Sequence, residues 1–402
     1  MALPVIDLAG TPGDMGMAHG RVLADQLAPA WLDAFLQDFE HLNRLTRAAL
    51  YAQAEVWQRL LPDYVVEEID GMALGVRAAG VSATRADVLA YLYADIAQPT
   101  LKPGEERQPA GVVNPAAHGE DEAEDDVVAD EAGASDAGTA GTGGPMCSGL
   151  VVPTVDDGAL WVARNCDWYW ALLRRGTAAV VHRRDGAIPC MALGVFGDID
   201  VDTGVNAAGL WLHMHTLYST DGPRSGTRET SWLFWCREML ETCETLADVE
   251  RFIERTSRDR GVLLFAVEGR SRQAALFECT RGSHVRHEMG AGLDGDAILA
   301  TNHCPVKVMD ADRVARSRRG STVSRLARMR ALVEERPEHG PDDLIDVLAD
   351  PGVEMRRAKN LRTIYAAVCA PGRQEVWFAS AGYPDGGCAA SGGRWERVGW
   401  PF

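Results

Sequence analysis

Trp31, Leu32, Phe35, Leu36 and Phe39 recur at steps of three and four residues, the spacing that puts them on one face of a helix. Pro29, just ahead of them, suits that helix's first turn. Leu50, Ala54, Trp57 and Leu61 repeat the pattern, and Val88 to Ile96 reads as a further apolar helix. From about residue 147 the period changes. Leu150–Pro153, Ala159–Ala163, Ala178–His182 and Ile188–Val195 are short β-rich runs. Asp157-Gly158 and Asp185-Gly186 lie between such runs and supply the positive φ of tight hairpin turns. Gly204–Val205 and Leu210–His213 bracket Asn206-Ala-Ala-Gly209 in the same way. Helical spacing returns over Glu229–Glu241, with Thr227 or Thr230 as its cap, and over Leu246–Thr256. Strands follow at Val262–Glu268, Ala274–Glu278 and Ala297–Thr301. Helices run from about Ser321 to Glu335 and from Pro341 to Leu348, and strands Thr363–Val368 and Glu375–Ala379 close the pattern. Blocks of strands alternating with blocks of helices predict an α+β or layered sandwich. No internal repeat, dinucleotide fingerprint, phosphate loop or Gly-x-Ser-x-Gly is present.

Charge divides the chain further. Residues 101–146 hold eleven acids against two bases, Lys102 and Arg107, with no Phe, Trp or Tyr, and end in a Gly-, Ala- and Thr-rich run. Too little apolar surface and too much like charge predict a disordered linker. The expected organisation is a helical part over 1–100, an acidic pro-segment over 101–146, and a catalytic part over 147–402. Across all 402 residues, 46% hydrophobic content provides for a sizeable core. The net charge of −18 argues against nucleic acid or an anionic lipid surface as partner. No run of about 18 apolar residues predicts a membrane span. The start, Met-Ala-Leu-Pro-Val-Ile-Asp, shows no basic and then apolar leader, so a cytoplasmic protein is expected. The nine cysteines all follow the linker, are odd in number and form no Cys-x-x-Cys. Neither a disulfide framework nor a zinc site is favoured.

The first of them, Cys147, stands directly after the linker in Met146-Cys147-Ser148-Gly149. A thiol needs a base or a lowered pKa to attack at neutral pH. Cleavage of Met146–Cys147 would release an α-amine, with a reference pKa of about 7.7–8.0, that can serve its own side chain as base. After the Asp157-Gly158 turn comes Ala163-Arg164-Asn165-Cys166-Asp167-Trp168. A hairpin there puts Arg164 and Asp167 beside Cys147. A carboxylate could hold the ammonium and an arginine could orient the thiolate. A buried small cysteine and a surface Arg–Asp pair are the bland alternatives.

Cys-Ser-Gly followed about twenty residues later by Arg-Asn-x-Asp-Trp resembles the N-terminal nucleophile hydrolases of the choloylglycine hydrolase and penicillin acyltransferase group. Gly10-Thr-Pro-Gly-Asp-Met-Gly-Met-Ala-His-Gly20 is similar to the opening motif of the acyltransferase branch. Val205-Asn206-Ala-Ala-Gly209-Leu210, Trp235-Cys-Arg237-Glu238-Met-Leu240, Ala300-Thr301-Asn302-His303 and Ser324-Arg325-Leu326-Ala-Arg328 resemble later segments in the same order. The resemblance covers most of the chain. It implies a four-layer αββα sandwich, cut by itself into two chains that stay together, and no cofactor. It makes Cys147 the nucleophile with its α-amine as base, and Asp167 the group that positions that amine. Asn206 and Asn302 fall at oxyanion-hole positions. Arg325, with Ser324, resembles a site pair of the acyltransferase branch, and Arg164 fits the choloylglycine hydrolase side. The implied activity cleaves or forms a linear amide bond of a small N-acyl amine, with an acyl thioester admitted as donor.

Two rival readings stand beside it. His213-Met-His215 and His303-Cys304 could hold a metal, since residues two apart on a strand share a face, giving a metal-dependent amidohydrolase. The chain could also be an inactive relative that only binds. Trp161, Trp168, Trp170 and Trp211 lie near the nominated site in sequence and suit an apolar acyl group or a core between layers.

Overall fold

The computed structural model describes residues 3–97, 146–154, 158–217, 219, 221–290, 296–303, 316–336, 339–356, 360–384 and 386–402, with the backbone alone for 316–320. The predicted acidic linker, apart from Met146, lies outside the described residues, as do Asp157 and Cys304.

Two sheets stack face to face. The first, of eight strands, has the order β1 (Val5–Gly10), β4 (Thr177–Arg184), β5 (Cys190–Val195), β6 (Thr203–Asn206), β7 (Leu210–Leu217), β10 (Gly261–Glu268), β11 (Gln273–Cys279), β12 (His284–Glu288). The second, of six, runs β13 (Ile298–Ala300), β2 (Met146–Pro153), β3 (Leu160–Tyr169), β14 (Leu361–Ala370), β15 (Glu375–Ser380), β16 (Glu396–Val398). Only the β1–β4 pair in these sheets is parallel. A small parallel pair, β8 (Arg228–Thr230) with β9 (Thr256–Arg258), stands apart. Strands β2 and β7 meet where Gly149 presents only backbone: a Cβ there would lie 2.7 Å from His213 Nε2 and 2.9 Å from the His215 ring.

Helices cover both outer faces. The first sheet carries α1 (Pro12–Val22), α6 (Trp232–Thr242) and α7 (Leu246–Arg255), while α8 (Arg316–Glu334), α9 (Pro341–Ala349) and α10 (Ala389–Gly392) cover the second. With α4 (Asp63–Ala78) packed on α1, α5 (Arg85–Tyr93) on α4, and α3 (Arg47–Trp57) and α2 (Pro29–Asn43) on α5, this is the expected αββα sandwich.

The sequence reading departs from this fold in two places. Residues 1–100 are not purely helical: Ile6 and Leu8 point inward and Asp7 outward on β1, which extends the first sheet. That period-2 alternation spans too few residues to stand out beside the helices. The opening motif is itself a helix-packing device. A Cβ at Gly16 or Gly20 on α1 would lie 2.0 or 2.1 Å from the carbonyl oxygens of Glu68 and Met72 on α4. Gly71 and Gly75 on α4 reciprocate against Gly13 and Met17 of α1, at 2.3 and 2.2 Å. The two backbones therefore touch. Finally, Thr230 ends β8, and α6 is entered from Ser231 without a side-chain cap, so neither nominated threonine caps it.

Candidate active site

Cys147 lies near the start of β2, and the antiparallel register sets Met146 opposite Asp167, Cys147 opposite Cys166, and Gly149 opposite Arg164. Side chains alternate along a strand. Cys147, Arg164 and Cys166 therefore face the space between the sheets, whereas Ser148, Asn165 and Asp167 face the helices of the second sheet. Asn165 Nδ2 donates to the Leu348 carbonyl of α9 at 2.8 Å, which fixes that orientation.

The thiol face is built by arginine and tyrosine. Arg164 is fully buried and aims Nη2 at Cys147 Sγ, 3.4 Å away. Its Nη1 donates to the Asp202 carbonyl at 2.8 Å and to the Thr203 hydroxyl, and its guanidinium lies 5.3 Å from the Tyr365 ring centroid. Burial opposes ionisation of the Cys147 thiol, but a hydrogen bond from Cys166 and the charge of Arg164 outweigh it and bring the pKa below its ordinary value. The Cys166 thiol moves the other way, raised by burial and by its bond to Cys147.

The helix face is built around Arg325 of α8. Its Nη1 donates to the Cys147 carbonyl at 2.6 Å and to Ser148 Oγ at 2.7 Å, and its Nη2 to Asn302 Oδ1 at 3.1 Å. Asn302, just past β13, accepts the Cys147 backbone N–H on the same Oδ1 at 2.6 Å and donates from Nδ2 to the Thr216 carbonyl at 3.0 Å. The two donors reaching Oδ1 assign the amide orientation. Asp167 accepts from Thr363 Oγ1 at 2.6 Å through Oδ1. Its buried Oδ2 has no hydrogen-bond partner, and the closest cation is Arg325 at 3.8 Å. Burial, only partly offset by Arg325, pushes the Asp167 carboxyl up to about 6.

Two nominated residues stand outside this cluster. Asn206 is buried at the β6–β7 turn, where Nδ2 donates to the Leu240 and Cys243 carbonyls and Oδ1 accepts the Ala208 and Leu210 N–H groups. No side-chain N–H is left for an oxyanion. Ser324 is on the exposed side of α8 and bonds only the Ser321 carbonyl, at 3.1 Å. Thr322 takes the inner position instead: it accepts the Asn302 N–H at 2.8 Å and bonds Thr301 Oγ1 at 2.6 Å. The sequence reading missed Thr322, Cys166, Tyr365 and Thr363 as parts of the site. Strand alternation already put Cys166 on the face of Arg164, but the pairing of β3 with β14, which brings in Thr363 and Tyr365, has no local signal.

His213 and His215 are buried on β7 in opposite tautomers. His213 Nδ1 accepts from Trp211 Nε1 at 3.0 Å, leaving its hydrogen on Nε2, while His215 Nδ1 faces the Thr301 carbonyl at 2.8 Å and so carries the hydrogen. Only His215 can offer an Nε2 lone pair toward Gly149, so the pair is not a two-ligand metal clamp. Among the described residues no group of three His, Cys, Asp or Glu side chains could hold a metal ion, and no helix is long and apolar enough to cross a membrane.

A cleft opens beside Cys166 and Tyr365. Trp168, Leu172, Trp232 and Ile364 form an apolar wall, and Asp95, Asp198, Asp200 and Asp202 line the polar side. Burial and then the neighbouring Asp198 push Asp95 up to about 7, and Asp200 is raised by burial and then by Asp198 and Asp202. Of the four nominated tryptophans, Trp168 lines this cleft, Trp161 and Trp211 are fully buried, and Trp170 packs on Tyr383.

The sequence model of the acyl-coenzyme A:6-aminopenicillanic acid acyl-transferase family matches residues 154–383. No curated protein sequence matches the chain. Solved structures give weaker overall superpositions. A mutant conjugated bile acid hydrolase from Clostridium perfringens has 10% identity and a TM-score of 0.45, over 63% of this chain and 96% of that one. Penicillin V acylase from Agrobacterium tumefaciens has 17% identity and a TM-score of 0.44, over 58% and 83%. A Caenorhabditis elegans orthologue of N-acylethanolamine-hydrolyzing acid amidase has 16% identity and a TM-score of 0.43, over 56% and 93%.

Proposed function

Because the chain belongs to the acyl-coenzyme A:6-aminopenicillanic acid acyl-transferase family, we propose that it is a self-cleaving cysteine enzyme. It breaks or forms a linear amide bond of a small N-acyl amine through a thioester on Cys147. The observation that carries this reading is Asp167 Oδ2, a buried oxygen one strand across from the Met146–Cys147 bond that has no hydrogen-bond partner and only a 3.8 Å ion pair with Arg325. A lone carboxylate oxygen in that position is costly, and an ammonium released at Cys147 would meet it.

In the uncut chain the Cys147 thiolate attacks the Met146 carbonyl carbon. The peptide C–N bond breaks as the Cys147 nitrogen takes a proton, and water then hydrolyses the Met146 thioester. The new α-amine, close to Asn302 and Asp167, serves as base for the thiol in the second reaction. There Cys147 attacks the substrate carbonyl, the substrate amine leaves with the proton held by the α-amine, and water or another amine resolves the acyl-enzyme. Arg325 holds the Cys147 carbonyl, and Arg164 holds the thiolate. Asn302 is the side-chain donor proposed for the oxyanion; in the uncut chain its Nδ2–H is occupied by the Thr216 carbonyl. The apolar wall beside Cys166, formed by Trp168, Leu172, Trp232 and Ile364, is the surface proposed to meet the acyl group.

Intact-mass analysis tests this. Cleavage before Cys147 divides the 402 residues and 43.5 kDa into fragments of about 16 and about 28 kDa by proportion, which should copurify as a heterodimer. Cys147→Ala should remain one inactive chain. A wild-type protein that turns over substrate as a single 43.5 kDa species would overturn the α-amine mechanism.

A further inference from the structure

We propose that Cys147 and Cys166 close a reversible disulfide when the protein meets a peroxide, switching the nucleophile off and sparing it from deeper oxidation. The disulfide rests on the strand register and on the thiol chemistry of the pair. Its effect on activity rests on the reading of Cys147 as nucleophile, and the test separates the two.

The two residues are directly opposite on antiparallel strands. The Cys147 N–H points to Asn302 and its carbonyl accepts from Arg325, so both backbone groups point away from β3. In an antiparallel ladder that defines a non-hydrogen-bonded pair, with Cα atoms about 4.5 Å apart and side chains at their closest. A disulfide needs Cα atoms about 4.4–6.8 Å apart, so the strands need not move. Both side chains lie on one face of the sheet, directly across from each other.

Chemistry selects this pair among the eight described cysteines, all reduced. Burial raises the pKa of each of the others, including Cys190, Cys236, Cys243, Cys279, Cys369 and Cys388. Cys147 alone is shifted toward thiolate, the form that peroxide oxidises. Cys166 lines the cavity beside Tyr365, whose space of about 30 Å³ suits a molecule as small as peroxide.

The steps balance. The Cys147 thiolate attacks one peroxide oxygen, the O–O bond breaks, and hydroxide leaves, giving the sulfenic acid of Cys147. Cys166 then attacks the Cys147 sulfur. The S–O bond breaks, the S–S bond forms, and the departing hydroxide ends as water with the Cys166 proton. Asp202 Oδ2, 3.9 Å from Cys166 Sγ, is placed to take that proton and pass it to the departing hydroxide. Two thiols and one hydrogen peroxide give one disulfide and two waters, and a thiol reductant reverses the result.

Purified protein is treated with hydrogen peroxide, its free thiols are alkylated under denaturing conditions, and its peptides are weighed. The expected product is a linked pair of peptides holding Cys147 and Cys166, lighter by two hydrogens and separated again by dithiothreitol, with turnover lost and regained in parallel. In Cys166→Ser no linked peptide should form, and Cys147 should go on to sulfinic acid, which dithiothreitol does not reduce. Wild-type protein whose Cys147 becomes sulfinic acid while Cys166 remains fully alkylatable overturns the proposal, whether or not Cys166→Ser folds. So does a Cys166→Ser protein that recovers with dithiothreitol as fully as wild type. A linked peptide formed with turnover intact overturns the switch and the role of Cys147 together, while leaving the bond.

Discussion

Arg237 on α6 and Arg325 on α8 lie on opposite outer layers of the sandwich, each with its guanidinium buried. Arg237 is matched at every nitrogen: Nε donates to Glu241 at 3.0 Å, Nη2 to Glu68 at 2.7 Å, and Nη1 to the Ile199 carbonyl. Glu68 precedes the Met146–Cys147 bond and Glu241 follows it, so this arginine ties the two proposed fragments together. Arg325 leaves Nε unmatched and spends its other nitrogens on the neutral oxygens of Cys147, Ser148 and Asn302, with its carboxylate 3.8 Å away. A closed set of partners serves cohesion. An open one holds the Cys147 backbone in place and leaves capacity for the charge that the proposed reaction would create. Both arginines occur in segments that resemble the same family, and nothing in their local sequence says which is which.

Replacing each by methionine should separate these roles. Arg237→Met leaves Glu68 and Glu241 buried without their cation, a loss of about 3–5 kcal/mol, and the cleaved fragments should part on size exclusion. Arg325→Met should cost less stability but lower turnover by about 10²-fold, because the Cys147 backbone loses its anchor. Equal losses of melting temperature in the two variants, with turnover per folded molecule unchanged in Arg325→Met, would erase the contrast.

The two asparagines sharpen it further. Asn302→Ala should lower the acylation rate constant by roughly 10²–10³-fold while the protein stays folded. Asn302→Asp keeps the acceptor for Cys147 and removes the donor, so a matching loss there assigns the effect to the N–H. Asn206→Ala should do the reverse. It strands buried N–H and carbonyl groups of one turn at about 1–3 kcal/mol, and turnover per folded molecule should hold. Single-turnover acylation and thermal melting on the same preparations read both.

Asp167 gives a smaller effect with a sign that depends on pH. Its carboxyl sits near 6 in the fold against about 3.9 when unfolded, so folding favours the protonated form. That stabilisation is complete below about pH 4 and is lost as pH rises through about 6. In a Cys147→Ala chain, which stays uncut, Asp167→Asn should therefore add on the order of 1–3 kcal/mol at pH 8 and almost nothing at pH 4. In the mature enzyme the same change removes the counter-charge of the α-ammonium, so the pH–rate profile should move to lower pH. An Asp167→Asn chain less stable at pH 8 than its parent would mean that the unpartnered oxygen is not under strain.

Much of the architecture was readable from periodicity. The hairpin turn fixed the β2–β3 register, and with it the placement of Cys147 beside Arg164 and Asp167. What escaped depends on contacts distant in sequence. β1 is recruited by β4 more than 160 residues away, and Thr363 and Tyr365 enter through β14; Asn302 and Arg325 are reached through the motif resemblance and not through spacing. Asn206 shows the converse limit. An Asn-x-x-Gly run carries the signature of a turn, and the turn here consumes the whole amide that was nominated for an oxyanion.

Helix α8 offers the finest version of the comparison, because Thr322 and Ser324 lie two residues apart and face opposite ways. The Thr322 hydroxyl receives the Asn302 N–H at 2.8 Å and sits 3.0 Å from His303 Nδ1, so it positions the residue that holds the Cys147 nitrogen. Thr322→Val keeps the shape and removes those bonds. It should cost about 1 kcal/mol and lower turnover modestly, with a larger fall in the acylation rate than in substrate affinity. The Ser324 hydroxyl reaches only the Ser321 carbonyl one turn back, on the exposed side. Ser324→Ala should therefore stay within about 0.5 kcal/mol of the parent and turn over normally, although the motif resemblance pairs it with Arg325. A loss of acylation in Ser324→Ala comparable to that of Asn302→Ala would require α8 to present its other face to Cys147 in the cleaved enzyme. In that case the contacts of Arg325 with the Cys147 carbonyl and Ser148 would belong to the uncut chain alone.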